Sequence, residues 1–172
     1  MKFQIKRAVR KNSSVLRALF LVGTLALVIA GCETPESSFP KLTNNARAAV
    51  GKGALSTNPP GGTNLYNKAK AHADEMCRRG KIGHTTDFYN TTLVKYYNPA
   101  SNWKALGENV GVIGWNANDQ NTWTASTNAL FQAFMDSPGH KANILGDYNY
   151  QVVAQSVCGN GNIYVTHFFA KF

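Results

Sequence analysis

Apolar residues recur at helical spacing in "NLYNKAKAHADEMCRRG". Leu65, Ala69, Ala73 and Met76 are separated by four, four and three positions. That spacing predicts a helix with one buried stripe, ended by Gly80. Cys77 lies on the stripe's edge, and His72 is placed on the opposite, solvated side. A second helix is predicted from about Thr122 to Met135, with Ala125, Ala129, Leu130, Ala133 and Phe134 inward. "KLTNNARAAVGKG" predicts a short helix that buries Leu42, Ala46, Ala49 and Val50 and ends at Gly51 or Gly53. In "DSPGHKANIL", Ser137 is placed to cap a helical turn and Pro138 to fill its first position. Gly146 is placed to end that turn, and His140 falls in its first residues.

The period changes toward the C-terminus. "YQVVAQSV" and "NIYVTHFFAKF" are β-branched and aromatic, and the "CGNGN" between them is a hairpin signal. His167, on the face of Val165 and Phe169, reads as a core histidine. "STNPPGGTN" is a loop by composition. His84 to Gly111 shows no sustained period and is expected to be irregular, with one short element at Leu93 to Tyr97. Helices come first and an antiparallel strand pair last, so the class is α+β.

The N-terminus differs from the rest. Lys2, Lys6, Arg7, Arg10, Lys11 and Arg17 precede the apolar run "ALFLVGTLALVIAGC". A basic segment and about 13 apolar residues read as an export signal, short of the roughly 20 that a membrane span needs. Ile29-Ala30-Gly31-Cys32 resembles the bacterial lipobox. That resemblance implies cleavage after residue 31 and acylation of Cys32, which anchors the chain to a membrane. An ordinary cleaved signal and an uncleaved anchor are the alternatives. No aspartate follows Cys32, which favours the outer membrane if the organism has one. "ETPESSFPK" reads as a tether, so the domain is expected over 42–172.

The chain of 172 residues carries a formal net charge of +9. Without the six N-terminal cations, 12 Lys and Arg face 9 Asp and Glu. The charge therefore belongs largely to the signal, and a nucleic-acid partner is not expected. Export also bears on the cysteines. With Cys32 assigned to lipid, Cys77 and Cys158 are expected to form a disulfide, two free thiols being the alternative.

Asn44 and Arg47 in "NNAR", His84 closing "HADEMCRRGKIGH", Glu108 in "LGENVG" and His140 in "MDSPGHKANIL" occur in this order, followed by "YVTHFFA". In that order they resemble the CAP superfamily: cysteine-rich secretory proteins, antigen 5 and the plant pathogenesis-related proteins of group one. The likeness is to its short bacterial branch and covers Leu42 to Phe172. It implies an α-β-α sandwich with a central cleft where His84, Glu108 and His140 converge. Eukaryotic members carry a second glutamate before the second histidine. Asp136 is the nearest acid here, in a different register. Bacterial relatives usually read Gly-Val-Gly where this chain has Gln151 to Ala154, which implies a changed strand contact.

Two imidazoles and a carboxylate suit zinc or another divalent cation with one position open. Equally, Glu108 can orient an imidazole from behind. Asn44 and Arg47 are expected to fix the first helix, and Asn109 and Asn143 to fix loops. Trp103, Trp115 and Trp123 read as packing. Three functions follow. The leading one is a binding module, anchored in the cell envelope, whose cleft takes a lipid, an envelope component, a divalent metal or a partner protein. The second is a metal-dependent hydrolase using the same residues. The third is a structural envelope protein. Catalysis itself stays open at this stage.

Overall fold

The computed structural model describes residues 34–60, 63–91, 93, 103–114 and 120–172. The export signal, Cys32 and Trp115 lie outside the described residues, as does all but Leu93 of the element expected at Leu93 to Tyr97. The elements in chain order are α1 (Pro35–Ala48), α2 (Thr63–Arg79), α3 (Thr85–Tyr89) and β1 (Ala105–Gly114), then α4 (Gln120–Asp136), α5 (Pro138–Ile144), β2 (Tyr150–Val157) and β3 (Asn162–Lys171).

The C-terminal strand organises the rest. β3 lies between β1 and β2 and is antiparallel to both. Ile163 to Ala170 are buried without interruption, as expected for a strand covered on both faces. The β2–β3 hairpin forms as its turn signal predicts, with Gly161 at φ +77°. On one face α2 packs Leu65 and Ala69 against Val152, Ala154, Phe168 and Ala170. Its Met76 joins Val110 and Tyr164. On the other face Phe39 of α1, Leu130, Phe131 and Phe134 of α4, and Ile144 of α5 cover Val153, Val165 and Phe169. The result is the α-β-α sandwich of α+β class. Cys77 and Cys158 are bridged, with Cα atoms 5.8 Å apart, so the end of α2 is tied to the β2–β3 turn.

Several expectations need correction. The expected tether is helical from Pro35, because Thr34 caps α1 and Pro35 stands in its first turn. Phe39 of that segment is fully buried, so the folded unit starts before residue 42. Val50 is exposed, and α1 buries Phe39, Thr43 and Arg47 instead. The buried face of α4 is Thr127, Leu130, Phe131 and Phe134, while Ala125, Ala129 and Ala133 are exposed. Alanine's small surface lets it lie outside at little cost, so bulk decides the face. The stretch containing "LGENVG" is strand β1, which forms one edge of the three-stranded sheet, with β2 on the far side of β3.

Candidate functional site

β1 is an edge strand whose side chains alternate between the layers. Val110 faces α2, and Glu108 reaches the same side. Its carboxylate is almost wholly buried there. It accepts hydrogen bonds from the Thr85 backbone N–H at 3.1 and 3.3 Å and a short one from the Thr85 hydroxyl. His84 Nδ1 lies 2.7 Å from its Oε2. His84 is the residue before α3, and its backbone N–H donates to Asp87 Oδ2 at 2.8 Å. Half of its ring remains exposed. The bond to Glu108 raises the His84 pKa above the ordinary imidazole range, against partial burial.

His72, expected in solvent, is fully buried. Its Nε2 lies 2.9 Å from the Gly83 carbonyl and 3.5 Å from Glu108 Oε1. Two acceptors around one nitrogen require the proton to sit on Nε2. Burial lowers its pKa, with Glu108 pulling the other way. The signal was present in the sequence: position 72 is three residues after Ala69 and four before Met76, hence inside the apolar stripe.

The opposite side of β1 meets α5. Asn109 is fully buried, and its Nδ2 donates to the His140 carbonyl at 3.1 Å. Asn143 Nδ2 donates to Asn109 Oδ1 at 2.8 Å and to the Glu108 carbonyl at 3.0 Å. These asparagines therefore clamp α5 to β1 and do not fix loops. Arg47 secures the other end of α5. Its guanidinium donates to the carbonyls of Ile144 (3.0 Å), Gly146 (2.8 Å) and Gly53 (2.7 Å). Asn44 pairs with both backbone groups of Leu55, so both residues fix α1 and the loop after it.

Held this way, His140 is partly buried against Phe134, with ring centroids 4.8 Å apart. Burial, then the charge of His84, lowers its pKa. His84 and Glu108 are thus in direct contact, and His140, held beside Asn109 on the same strand, is near enough to feel the His84 charge. Asp136 is exposed and accepts a hydrogen bond from Gln132 on its own helix. Gln151, where the strand departs from the bacterial pattern, is buried and bonds His167 Nε2 at 3.0 Å and the Pro40 carbonyl at 3.2 Å. His167 is a core residue, as expected. Trp103 and Trp123 are half-buried and pack against the hydrophobic clusters.

A zinc triad of His84, Glu108 and His140 does not fit this arrangement. Both oxygens of Glu108 are engaged by Thr85 and His84, so the carboxylate stands behind an imidazole. Among the described residues, no three His, Cys, Asp or Glu side chains are grouped to hold a metal ion. What the site presents outward is His84 Nε2 and the His140 ring.

A family model described as the cysteine-rich secretory protein family, CAP, matches residues 41–170. Two solved structures share the fold. One is an outer surface protein from Borrelia burgdorferi, with TM-score 0.56 and 16% identity over 77% of this chain and 89% of that one. The other is an extracellular protein containing an SCP domain from Bacillus anthracis. It has TM-score 0.56 and 17% identity, and the match spans 80% of this chain but 40% of that one. No curated protein matches the chain significantly.

Proposed function

The chain belongs to the cysteine-rich secretory protein (CAP) family, and from that premise we propose that it is a binding module of the cell envelope. Its cleft at the β1 edge takes a lipid, an envelope component, a divalent metal or a partner protein through His84 and His140. One observation carries this reading. Glu108 is consumed internally, by Thr85 and by His84 Nδ1, which fixes the His84 ring with Nε2 outward. A rigid imidazole beside a second, less basic one recognises hydrogen-bonding groups without needing a nucleophile. Ser137, the hydroxyl nearest His140 in sequence, makes no side-chain cap bond. The two structural neighbours, an outer surface protein and an extracellular one, support the location. So does the lipobox at Cys32, through which the chain is anchored by acylation.

Two experiments test this. Metabolic labelling with palmitate is expected to mark the parent and not Cys32→Ala; equal labelling would remove the anchor. Zinc, anionic lipid vesicles and wall fragments are titrated into protein beginning at Glu33, beside a folded His84→Ala/His140→Ala variant. Binding by the parent alone supports the cleft, and equal binding by both sinks it. A metal-dependent hydrolase is the second reading, favoured by the carboxylate behind His84. It requires stoichiometric zinc and turnover, both lost in the double variant.

A further inference from the structure

His84 and Glu108 lie at the β1 edge of the sheet; a cavity of about 550 Å³ lies at the other, beside β2. Its walls include Glu36 and Pro40 of α1, Pro59, Tyr66 of α2, and Val152 and Val153 of β2. The sequence explains why space is left there. Ser56 pairs with β2 like a short parallel strand: its N–H donates to the Asn149 carbonyl at 3.0 Å, and its carbonyl accepts from Gln151 N–H at 2.9 Å. Pro59 and Pro60 follow, and a residue without an N–H cannot extend that pairing. The loop therefore leaves the strand and roofs a gap between the two helical layers.

Thr57 and Asn58 of the loop complete the lining; most of its surface is apolar, and one polar pair converges on it. The Tyr66 hydroxyl donates to Glu36 Oε1 at 2.6 Å. That bond, then burial and the carboxylate's charge, push the Tyr66 pKa up to about 12, so the phenol stays protonated and keeps its proton on the bond to Glu36. Among the described residues, no Lys, Arg or His forms an ion pair with Glu36. A glutamate in the first turn of α1 is favoured by the helix dipole. The dipole does not account for a tyrosine reaching it across an apolar cavity. Ligand sites have this composition: a concave apolar wall of 300–1,000 Å³ with few convergent polar groups. A carboxylate beside an aromatic ring selects positive charge.

We infer that this cavity binds a small amphiphilic cation, with its ammonium head at Glu36 and Tyr66 and its apolar body between Pro40, Pro59 and the two valines. Such a head is carried by free organic ammonium compounds and by zwitterionic lipid headgroups. The inference does not depend on the histidine cleft.

The eight elements among the described residues lie within residues 35–171, so protein beginning at Glu33 contains all of them. Decyltrimethylammonium, below micelle-forming concentration, is titrated calorimetrically against decyl sulfate of equal chain length. The cation is expected to bind at one site, at least ten-fold more tightly than the anion. Glu36→Gln should reduce that preference to under three-fold, and Tyr66→Phe should weaken the cation several-fold. Thr57→Trp, which fills the cavity from an exposed loop, should weaken the cation about ten-fold. Thermal melting checks that each variant is folded. The His84→Ala/His140→Ala variant should bind the cation like the parent. Glu36-dependent binding to phosphatidylcholine vesicles would identify the lipid headgroup as the source, and binding of the free cation alone would identify a soluble ligand. No saturable binding, equal affinity for both charges, or an unaltered preference in Glu36→Gln would overturn the inference.

Discussion

Four histidines in one small domain experience four environments, and their titrations are expected to differ in sign. His84 is raised by its bond to Glu108, whereas His140, His72 and His167 are lowered by burial. Glu108→Gln removes the charge facing His84, so its imidazole titration, followed by NMR, should fall back toward the ordinary value. An unchanged midpoint would mean that Glu108 does not set it. The folded pKa of His84 is raised, so its contribution to stability is present below the ordinary imidazole pKa and lost as pH rises through the folded value. His167 runs the other way. Its pKa drops from 6.5 to about 3 because the ring is wholly buried. The unfolded chain binds that proton first, so stability falls as pH drops from 6.5 toward 3, by roughly 1.4 kcal/mol per unit. Urea unfolding between pH 7.5 and 4 should show a shallower acid loss in His167→Gln than in the parent. Equal slopes would remove His167 as the source. His84, Glu108 and His140 were legible because family motifs contain them. The part played by Thr85 was not, since it depends on a contact spanning 23 positions in sequence.

Elements were legible where bulk repeats with a period and illegible where glycine carries the fit. α2 follows its stripe along its whole length, whereas β1 has glycines at 107 and 111 in place of β-branched residues. The packing explains both. A Cβ on Gly107 would lie 2.6 Å from the Tyr148 hydroxyl and 2.9 Å from Asn143 Oδ1. One on Gly111 would lie 2.8 Å from Leu130 Cδ1 and 2.9 Å from Phe134 Cζ. The helices of the second layer sit directly on bare backbone, and the strand signal is sacrificed to let them approach. Gly111→Ala should therefore push α4 from β1 and cost about 1–3 kcal/mol by overpacking. Gly114→Ala, with nothing within 4 Å of its added carbon, is the control and should be nearly neutral. Denaturant midpoints of the two variants check this, and equal midpoints would mean that α4 yields without cost. α1 was misread for a related reason: its prolines look like a tether, but Pro35 opens the helix and Phe39 supplies the core contact that holds it.

At the scale of the molecule, the sandwich places the His84–Glu108 pair at one sheet edge and a largely apolar cavity at the other, and no sequence period reveals that division. It follows from β3 taking the centre, which only the pairing register decides. One covalent link then ties the layer nearest the histidines to the sheet. Cys77 and Cys158 are 81 positions apart. In the chain-entropy model, closing a loop that long restricts the unfolded chain and stabilises the fold by about 4–5 kcal/mol relative to the reduced form. For a domain of this size, that corresponds to a loss of roughly 10–20 °C in melting temperature on reduction. The effect should also be local. The bridge holds the end of α2, and residues 80–84 lead from that end directly to His84. Cys77→Ala/Cys158→Ala should therefore lower the melting temperature by that amount and speed amide exchange across residues 80–89 more than across β3. A drop in melting temperature with uniform exchange would limit the bridge to the unfolded chain. Faster exchange confined to residues 80–89 would make it the support that keeps His84 against Glu108.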